Sequence, residues 1–140
     1  MARAIRYAVD TSVAVAAIDA AHSVHAACRD AVRSFRPALA GHAAYEVYAV
    51  LTRMTGALAV DPSDAASLVA GAFPEVVWLD PAASAELRSR LPQLGIIGGS
   101  VYDALVGQAA LAAGRRLLTR DLRARRTYEL LGVDVTLVGV

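Results

Sequence analysis

Short apolar segments alternate with helical segments along the whole chain, and this alternation constrains the fold more than any other feature. Capping residues open the helical segments, and glycines close several of them. Strands that alternate with helices favour a compact, three-layer α/β fold, with a central, mostly parallel sheet of four or five strands and helices on both faces. The predicted strands are Ile5–Val9, Pro37–Ala40, Val76–Leu79, Leu117–Leu118 and Val133–Val138.

Several intervals between these strands are long enough for two helices. No Gly-x-Gly-x-x-Gly follows the first strand, and a chain without lysine has no Walker lysine, so nucleotide-cofactor folds are disfavoured.

At 140 residues the chain has the length of one domain, which we expect to span residues 1–140. The predicted helices are one opened by Thr11 and Ser12, then His22–Phe35, His42–Thr55, one from Asp61, one from Asp80 to about Arg90, Ser100–Gly114 and Asp121–Leu131.

The basic residues are unevenly distributed. The formal net charge is only +1, lysine is absent, and six arginines lie between positions 115 and 126. Arginine forms forked contacts with phosphate, so Arg120, Arg123 and Arg126 are candidates for binding a nucleic-acid backbone. A general preference for arginine over lysine is the alternative, although it does not account for the clustering.

Cysteine content and hydropathy bear on the compartment. The single cysteine, Cys28, has no disulfide partner within the chain and no metal-ligand spacing around it. No uncharged run approaches the roughly 18 residues of a membrane span. We therefore expect a cytoplasmic protein without membrane association.

Four carboxylates lie beside or inside apolar segments, where an acidic side chain is costly unless it is paired or bound to a metal. They are Asp10, Glu46, Asp103 and Asp121. Asp10 and Asp121 follow the first and fourth predicted strands, and ligand sites in open α/β sheets gather at the carboxyl ends of strands. Glu46 lies in an apolar helical stripe, and Asp103 is the sole charge in the segment from 91 to 114.

Each of the four also has a structural alternative. Asp10 and Asp121 are placed to cap the helices that follow them, although the two hydroxyl residues after Asp10 offer the same capping role. Glu46 would need to pair with Arg53, two helical turns away, or to extend its side chain along the apolar surface to reach water. Asp103 would interact favourably with the helix dipole if it lies in the first turn. If all four instead meet at one cavity, they predict a site for a divalent cation.

Four motifs resemble those of PIN-domain ribonucleases, and most of all the VapC-type toxins of bacterial toxin–antitoxin pairs. They are residues 9–13 (VDTSV), 45–53 (YEVYAVLTR), 98–106 (GGSVYDALV) and 117–123 (LLTRDLR). The motifs occur in order and at appropriate spacing, so the resemblance extends over essentially the whole chain. One departure is His42, where relatives often have a small hydroxyl residue.

The resemblance implies a fold, a site and a set of partners. It implies a compact PIN domain that forms a homodimer, acts on RNA, and is blocked by a peptide of an antitoxin in the acidic groove. It also implies that Mg²⁺ or Mn²⁺ is held by Asp10, Glu46, Asp103 and Asp121, with Ser12 and Thr119 as accessory polar groups.

We therefore expect a toxin that is an Mg²⁺- or Mn²⁺-dependent endoribonuclease and that hydrolyses phosphodiester bonds with a metal-activated water. Two alternatives remain open: a metal-dependent phosphatase on a similar sheet, and a non-catalytic PIN domain that binds RNA or a partner. Tyr45, Tyr48 and Tyr102 are candidates for stacking on unpaired bases, but we expect core packing for at least two of them.

Overall fold

The structure, a computed structural model, describes residues 4–140. Within that range, five strands form one sheet in the order β3-β2-β1-β4-β5, and every neighbouring pair is parallel. The α/β prediction with a parallel sheet of four or five strands is confirmed. The strands are β1 (Tyr7–Val9), β2 (Ala38–Ala40), β3 (Val76–Val77), β4 (Arg116–Thr119) and β5 (Val135–Leu137). Four of them are shorter than predicted, and β4 is longer.

Seven α-helices lie in the described residues, on both faces of the sheet. In one group, α1 packs against α2, α3 and α4; in the other, α6 packs against α5 and α7. A single 3-10 turn, Gly56–Leu58, follows α3. The helices are α1 (Thr11–Ile18), α2 (His25–Phe35), α3 (Ala43–Arg53), α4 (Pro62–Ala72), α5 (Pro81–Leu94), α6 (Ser100–Ala112) and α7 (Leu122–Leu131).

The connections leave β1 and β4 in opposite directions along the sheet. From β1 the chain continues to β2 on one side, whereas from β4 it continues to β5 on the other side. The strand order therefore reverses between β1 and β4, and open α/β sheets bind their ligands at the carboxyl ends of such strands. Asp10 directly follows β1, and Asp121 lies two residues after β4.

The core consists of small and branched apolar residues from the central strands and the helices that cover them. Val9, Leu39 and Leu118 are fully buried in the sheet. Gly41 (φ +44°) follows β2, and a Cβ there would lie 2.9 Å from the Cβ of Ala109 on α6. The absence of a side chain at this position allows α6 to pass close to the carboxyl end of β2.

One predicted helix cap and two predicted helix boundaries are wrong: the cap of α1, the start of α2, which is His25 and not His22, and the end of α5. Thr11 and Ser12 do not cap α1; instead Asp10 is the N-cap, and its side chain accepts a hydrogen bond from the Val13 amide. The helix expected to end near Arg90 continues through Pro92 to Leu94. Proline removes one backbone donor, but the final turns still pack Leu91 and Leu94 against the core, and the left-handed Gly95 ends the helix.

None of the helices in residues 4–140 combines the length and the apolar character needed to cross a bilayer.

Candidate active site

The four carboxylates singled out in the sequence come together in the fold. They line one cavity of about 210 Å³ at the carboxyl ends of β1 and β4. Two come from loops after strands, Glu46 comes from the first turn of α3, and Asp103 comes from the first turn of α6. The complete lining is Asp10, Thr11, Ser12, Glu46, Asp103, Val106, Asp121 and Tyr128.

Asp10 is buried and is held by four hydrogen-bond donors. Its Oδ1 accepts from Ser12 Oγ at 2.6 Å and from the Val13 amide at 3.3 Å. Its Oδ2 accepts from Thr119 Oγ1 and from the Tyr128 hydroxyl at 3.0 Å. Burial raises the pKa of Asp10 above its usual value, and the hydrogen bonds, that of Ser12 foremost, oppose the rise. Capping α1 and lining the cavity are therefore compatible roles for one side chain.

Glu46 is half-buried and is oriented by α1. Thr11 Oγ1 donates a hydrogen bond to Glu46 Oε1 at 3.2 Å. Burial raises the pKa of Glu46, whereas the nearby His42 and the Thr11 hydroxyl lower it. In the described residues, no ion pair joins Glu46 to Arg53, so Glu46 makes its contacts inside the cavity.

The pKa of Asp103 shows most directly that the four carboxylates affect one another. Its pKa is raised to about 6, first by burial and then by the negative charges of Asp121, Glu46 and Asp10. The positive charge of Arg123 opposes this rise. Asp103 does lie in the first turn of α6, but the helix dipole does not offset the repulsion from the other carboxylates.

Asp121 serves both as a helix cap and as part of the cavity. Its Oδ1 accepts from the amides of Arg123 and Ala124, at 3.0 and 3.2 Å, which leaves Oδ2 outside the cap. The Asp121 amide donates to Thr119 Oγ1 at 3.1 Å. Thr119 therefore links the Asp10 carboxylate to the backbone of Asp121, because its hydroxyl also donates to Asp10.

The three candidate arginines differ in their relation to the cavity. Arg120 donates its backbone N–H to Ser12 Oγ at 3.0 Å, and its Nε is buried without a partner among the described residues. Arg123 is exposed and close enough to lower the pKa of Asp103. Arg126 is also exposed, one turn farther along α7, and no interaction described for residues 4–140 joins it to the carboxylates.

The expectation that at least two of the three tyrosines pack in the core is wrong. Tyr45, Tyr48 and Tyr102 are 65%, 40% and 54% exposed. Tyr102 and Tyr45 belong to a row of four rings beside the cavity, which we call the aromatic row: Tyr102, His42, Tyr45 and Trp78. Successive ring centroids are 5.4, 6.1 and 5.6 Å apart. The row lies near Glu46, because His42 is close enough to lower the pKa of that carboxyl.

The chemistry of the cavity suits a hard divalent cation. Its charged groups are all carboxylates, the ligand type that Mg²⁺ and Mn²⁺ prefer, and their mutual repulsion raises the pKa of Asp103. Within residues 4–140, no three Asp, Glu, His or Cys side chains are placed to ligate one ion together. Mg²⁺ keeps several waters and is usually bound through one or two carboxylates, so a hydrated cation fits this arrangement.

Two residues of the site were not identified from the sequence. Thr11, which was interpreted as a helix cap, orients Glu46. Tyr128 donates to Asp10 from the buried face of α7, where it lies with Ala124, Thr127 and Leu131. Its spacing from those residues is the signal that could have placed Tyr128 on the apolar face of α7. A buried tyrosine hydroxyl usually finds a partner, but no local pattern identifies Asp10 as that partner.

Comparison with known proteins agrees with this fold. The PIN domain family matches residues 7–130. Ribonuclease VapC27 of Mycobacterium tuberculosis is 43% identical over 132 residues, covering 94% of this chain and 96% of that protein. Ribonuclease VapC40 of the same species is 42% identical over 134 residues, covering 94% and 98%.

A solved structure shares the fold at lower sequence similarity. VapBC2 from Rickettsia felis, bound to a DNA fragment from its promoter, superposes with a TM-score of 0.69 at 16% identity, over 96% of this chain and 99% of that one. At this identity the likeness concerns the fold, whereas the family match and the two ribonucleases cover nearly the whole sequence. The chain therefore belongs to the PIN-domain family, among the VapC-type ribonucleases.

Proposed function

We propose that the chain is a single PIN domain over residues 1–140 and acts in the cytoplasm as an Mg²⁺- or Mn²⁺-dependent endoribonuclease, the toxin of a toxin–antitoxin pair. One observation carries the proposal: Asp10, Glu46, Asp103 and Asp121 line a single cavity at the point where the strand order reverses. The nuclease names of two relatives above 40% identity support the reaction class.

In this proposal the four carboxylates surround a hydrated cation and hold it directly or through its waters, and Ser12 and Thr119 orient Asp10. A bound divalent cation would supply Lewis acidity and activate a water for attack on a phosphodiester. Thr11 keeps Glu46 turned toward the cavity. Arg120, Arg123 and Arg126 would contact backbone phosphates of the RNA. Cleavage of this type leaves a 5′-phosphate and a 3′-hydroxyl.

The proposed partners are RNA, a cognate antitoxin and a second copy of the chain. The solved neighbour is a VapBC2 structure bound to promoter DNA, and we propose that an antitoxin peptide blocks the acidic cavity of this chain. The aromatic row supports the homodimer, because Tyr45, Trp78 and Tyr102 are each more than half exposed. Exposed aromatic patches mark interfaces.

Cleavage of total RNA tests the proposed reaction. The wild type, Asp10→Asn and Asp103→Asn are incubated with RNA and Mn²⁺ or Mg²⁺, and the product ends are mapped. We expect cleavage that EDTA abolishes, 5′-phosphate products, and at least ~100-fold slower cleavage by both variants. Asp64→Asn, on the exposed first turn of α4, is the matched control and should cleave like the wild type.

Cation binding is measured separately, by the melting temperature with and without Mn²⁺. A cation whose concentration is about 100 times its dissociation constant stabilises the folded state by ~2.7 kcal/mol. We expect this stabilisation in the wild type and in Asp64→Asn, but not in Asp103→Asn. Unchanged cleavage by Asp10→Asn would reject the site, and turnover of a small phosphomonoester without RNA cleavage would favour a phosphatase.

A further inference from the structure

Tyr128 is a buried core residue whose one side-chain hydrogen bond within residues 4–140 is made at the proposed active site. It is 1% exposed, and its hydroxyl donates to Asp10 Oδ2 at 3.0 Å. A phenol is protonated at neutral pH, so the Tyr128 hydroxyl is the donor in this bond. The two residues are 118 positions apart in the chain, so this bond joins α7 directly to the end of β1.

The hydrogen bond is one of four that hold the Asp10 carboxylate, two on each oxygen. Ser12 and Val13 lie on the same loop and helix as Asp10, and Thr119 lies on the adjacent strand. Of the four donors, Tyr128 is the one that lies outside α1 and β4. It therefore restrains the carboxylate from α7.

The packing of α6 is shaped around the Tyr128 ring. Gly107 lies on α6, one turn after Asp103, and a Cβ at this position would lie 2.9 Å from Tyr128 Cδ1 and 3.0 Å from Leu131 Cδ1. The ring therefore occupies space that any other residue at 107 would take. The hydroxyl reaches Asp10 because α6 has no side chain where the two helices meet.

We infer that Tyr128 is a positioning residue for Asp10: its hydroxyl fixes the carboxylate in the orientation used to bind the cation, and Gly107 makes room for the ring. This inference rests on the proposed function. Residues that hold metal ligands through hydrogen bonds typically change metal affinity or activity by 10–100-fold when they are replaced. A purely structural tyrosine would change the stability of the fold without changing the affinity of the folded protein for a cation.

Calorimetric titration with Mn²⁺ tests the assignment on Tyr128→Phe, which keeps the ring and removes only the hydroxyl. We expect a ~10-fold or greater rise in the Mn²⁺ dissociation constant, and a lower kcat for RNA with KM within twofold of the wild type. The melting temperature without metal should fall by only ~5 °C. Tyr7→Phe, a tyrosine outside the cavity, is the matched control and should bind Mn²⁺ as the wild type does.

Gly107→Ala gives a second, independent variant. The added Cβ displaces the ring while the hydroxyl is retained, so the same loss of Mn²⁺ affinity is expected even if Tyr128→Phe does not fold. Gly71→Ala is its control, because a Cβ at that helical position meets nothing within 4 Å. Wild-type affinity in both Tyr128→Phe and Gly107→Ala would overturn the inference.

Asp10→Asn separates that outcome from a failure of the proposed function. If the wild type binds Mn²⁺ and Asp10→Asn does not, the site stands, and the two variants decide the role of Tyr128. If the wild type and Asp10→Asn give the same titration, the proposed cation site is rejected, and the assignment of Tyr128 fails with it.

Discussion

Thr119 Oγ1, at the end of β4, donates a hydrogen bond to Asp10 Oδ2, at the end of β1. The same hydroxyl accepts from the Asp121 amide at 3.1 Å. One side chain thus spans the point where the strand order reverses and links the Asp10 carboxylate to the backbone of Asp121.

Replacing Thr119 by valine should destabilise the fold and weaken the site. Valine has nearly the same shape, so the main loss is the donor to a buried carboxylate, and hydrogen bonds to charged groups contribute about 1.5–3 kcal/mol. Urea unfolding at neutral pH should show a loss in that range for Thr119→Val. Thr119→Ser keeps the donor and should lose only about 1 kcal/mol. Equal losses in the two variants would contradict this account of Thr119.

The stability of the metal-free protein should depend on pH through Asp103. Its pKa is 3.8 in a model peptide and about 6 in the fold, so between these values the folded state binds more protons than the unfolded state. The free energy of unfolding therefore falls as pH rises through this window. Urea titrations in EDTA should show a shallower fall in Asp103→Asn. A steeper fall in the variant would reverse the predicted sign.

Arg123 should contribute one phosphate contact to RNA binding. Each contact with a single strand adds about 0.7 to the slope of log affinity against log salt concentration. In an inactive Asp10→Asn background, Arg123→Gln should reduce that slope by ~0.7. Arg125→Gln is the control, since Arg125 Nε is paired with Glu129 at 3.0 Å. An unchanged slope in Arg123→Gln would exclude Arg123 from the RNA interface.

Disruption of the aromatic row should dissociate the proposed homodimer. Tyr45→Ser with Trp78→Ser removes two rings that are 65% and 56% exposed, and sedimentation velocity should then show a monomer where the wild type shows a dimer. Leu130→Ser, an exposed apolar residue on α7, should remain dimeric. A dimer that survives the double change would place the interface elsewhere. If the wild type is itself a monomer and the double variant binds RNA more weakly, the result would favour base stacking on the aromatic row.

Arg115 should matter for stability and not for chemistry. Its side chain is 5% exposed, and it contacts Glu75 at 2.9 Å and the Tyr7 carbonyl at 3.1 Å. These contacts join the amino ends of the strands, whereas the cavity lies at their carboxyl ends. Arg115→Met should lose about 2 kcal/mol, whereas Arg125→Met, which breaks an exposed pair, should lose at most about 0.5 kcal/mol. Activity per folded molecule should be unchanged in both.

Much of the fold was predictable because the relevant signals are local. Alternation of apolar and capping residues located all five strands and the helices between them, and Gly132 ended α7 as expected. The boundary at Pro92 was mispredicted because proline opposes a helix locally, while burial of Leu91 and Leu94 favours its continuation. That balance depends on packing against residues distant in the sequence.

The sequence by itself determined that four carboxylates lie in apolar surroundings, since the cost of an unpaired charge is a property of its neighbours. Only the tertiary structure decided how they are held. The order of the strands brings Thr119 and Tyr128 to Asp10, and Thr11 to Glu46. Hydrogen bonds across more than one hundred residues depend on which elements become adjacent, and strand order is set by the packing of the whole chain.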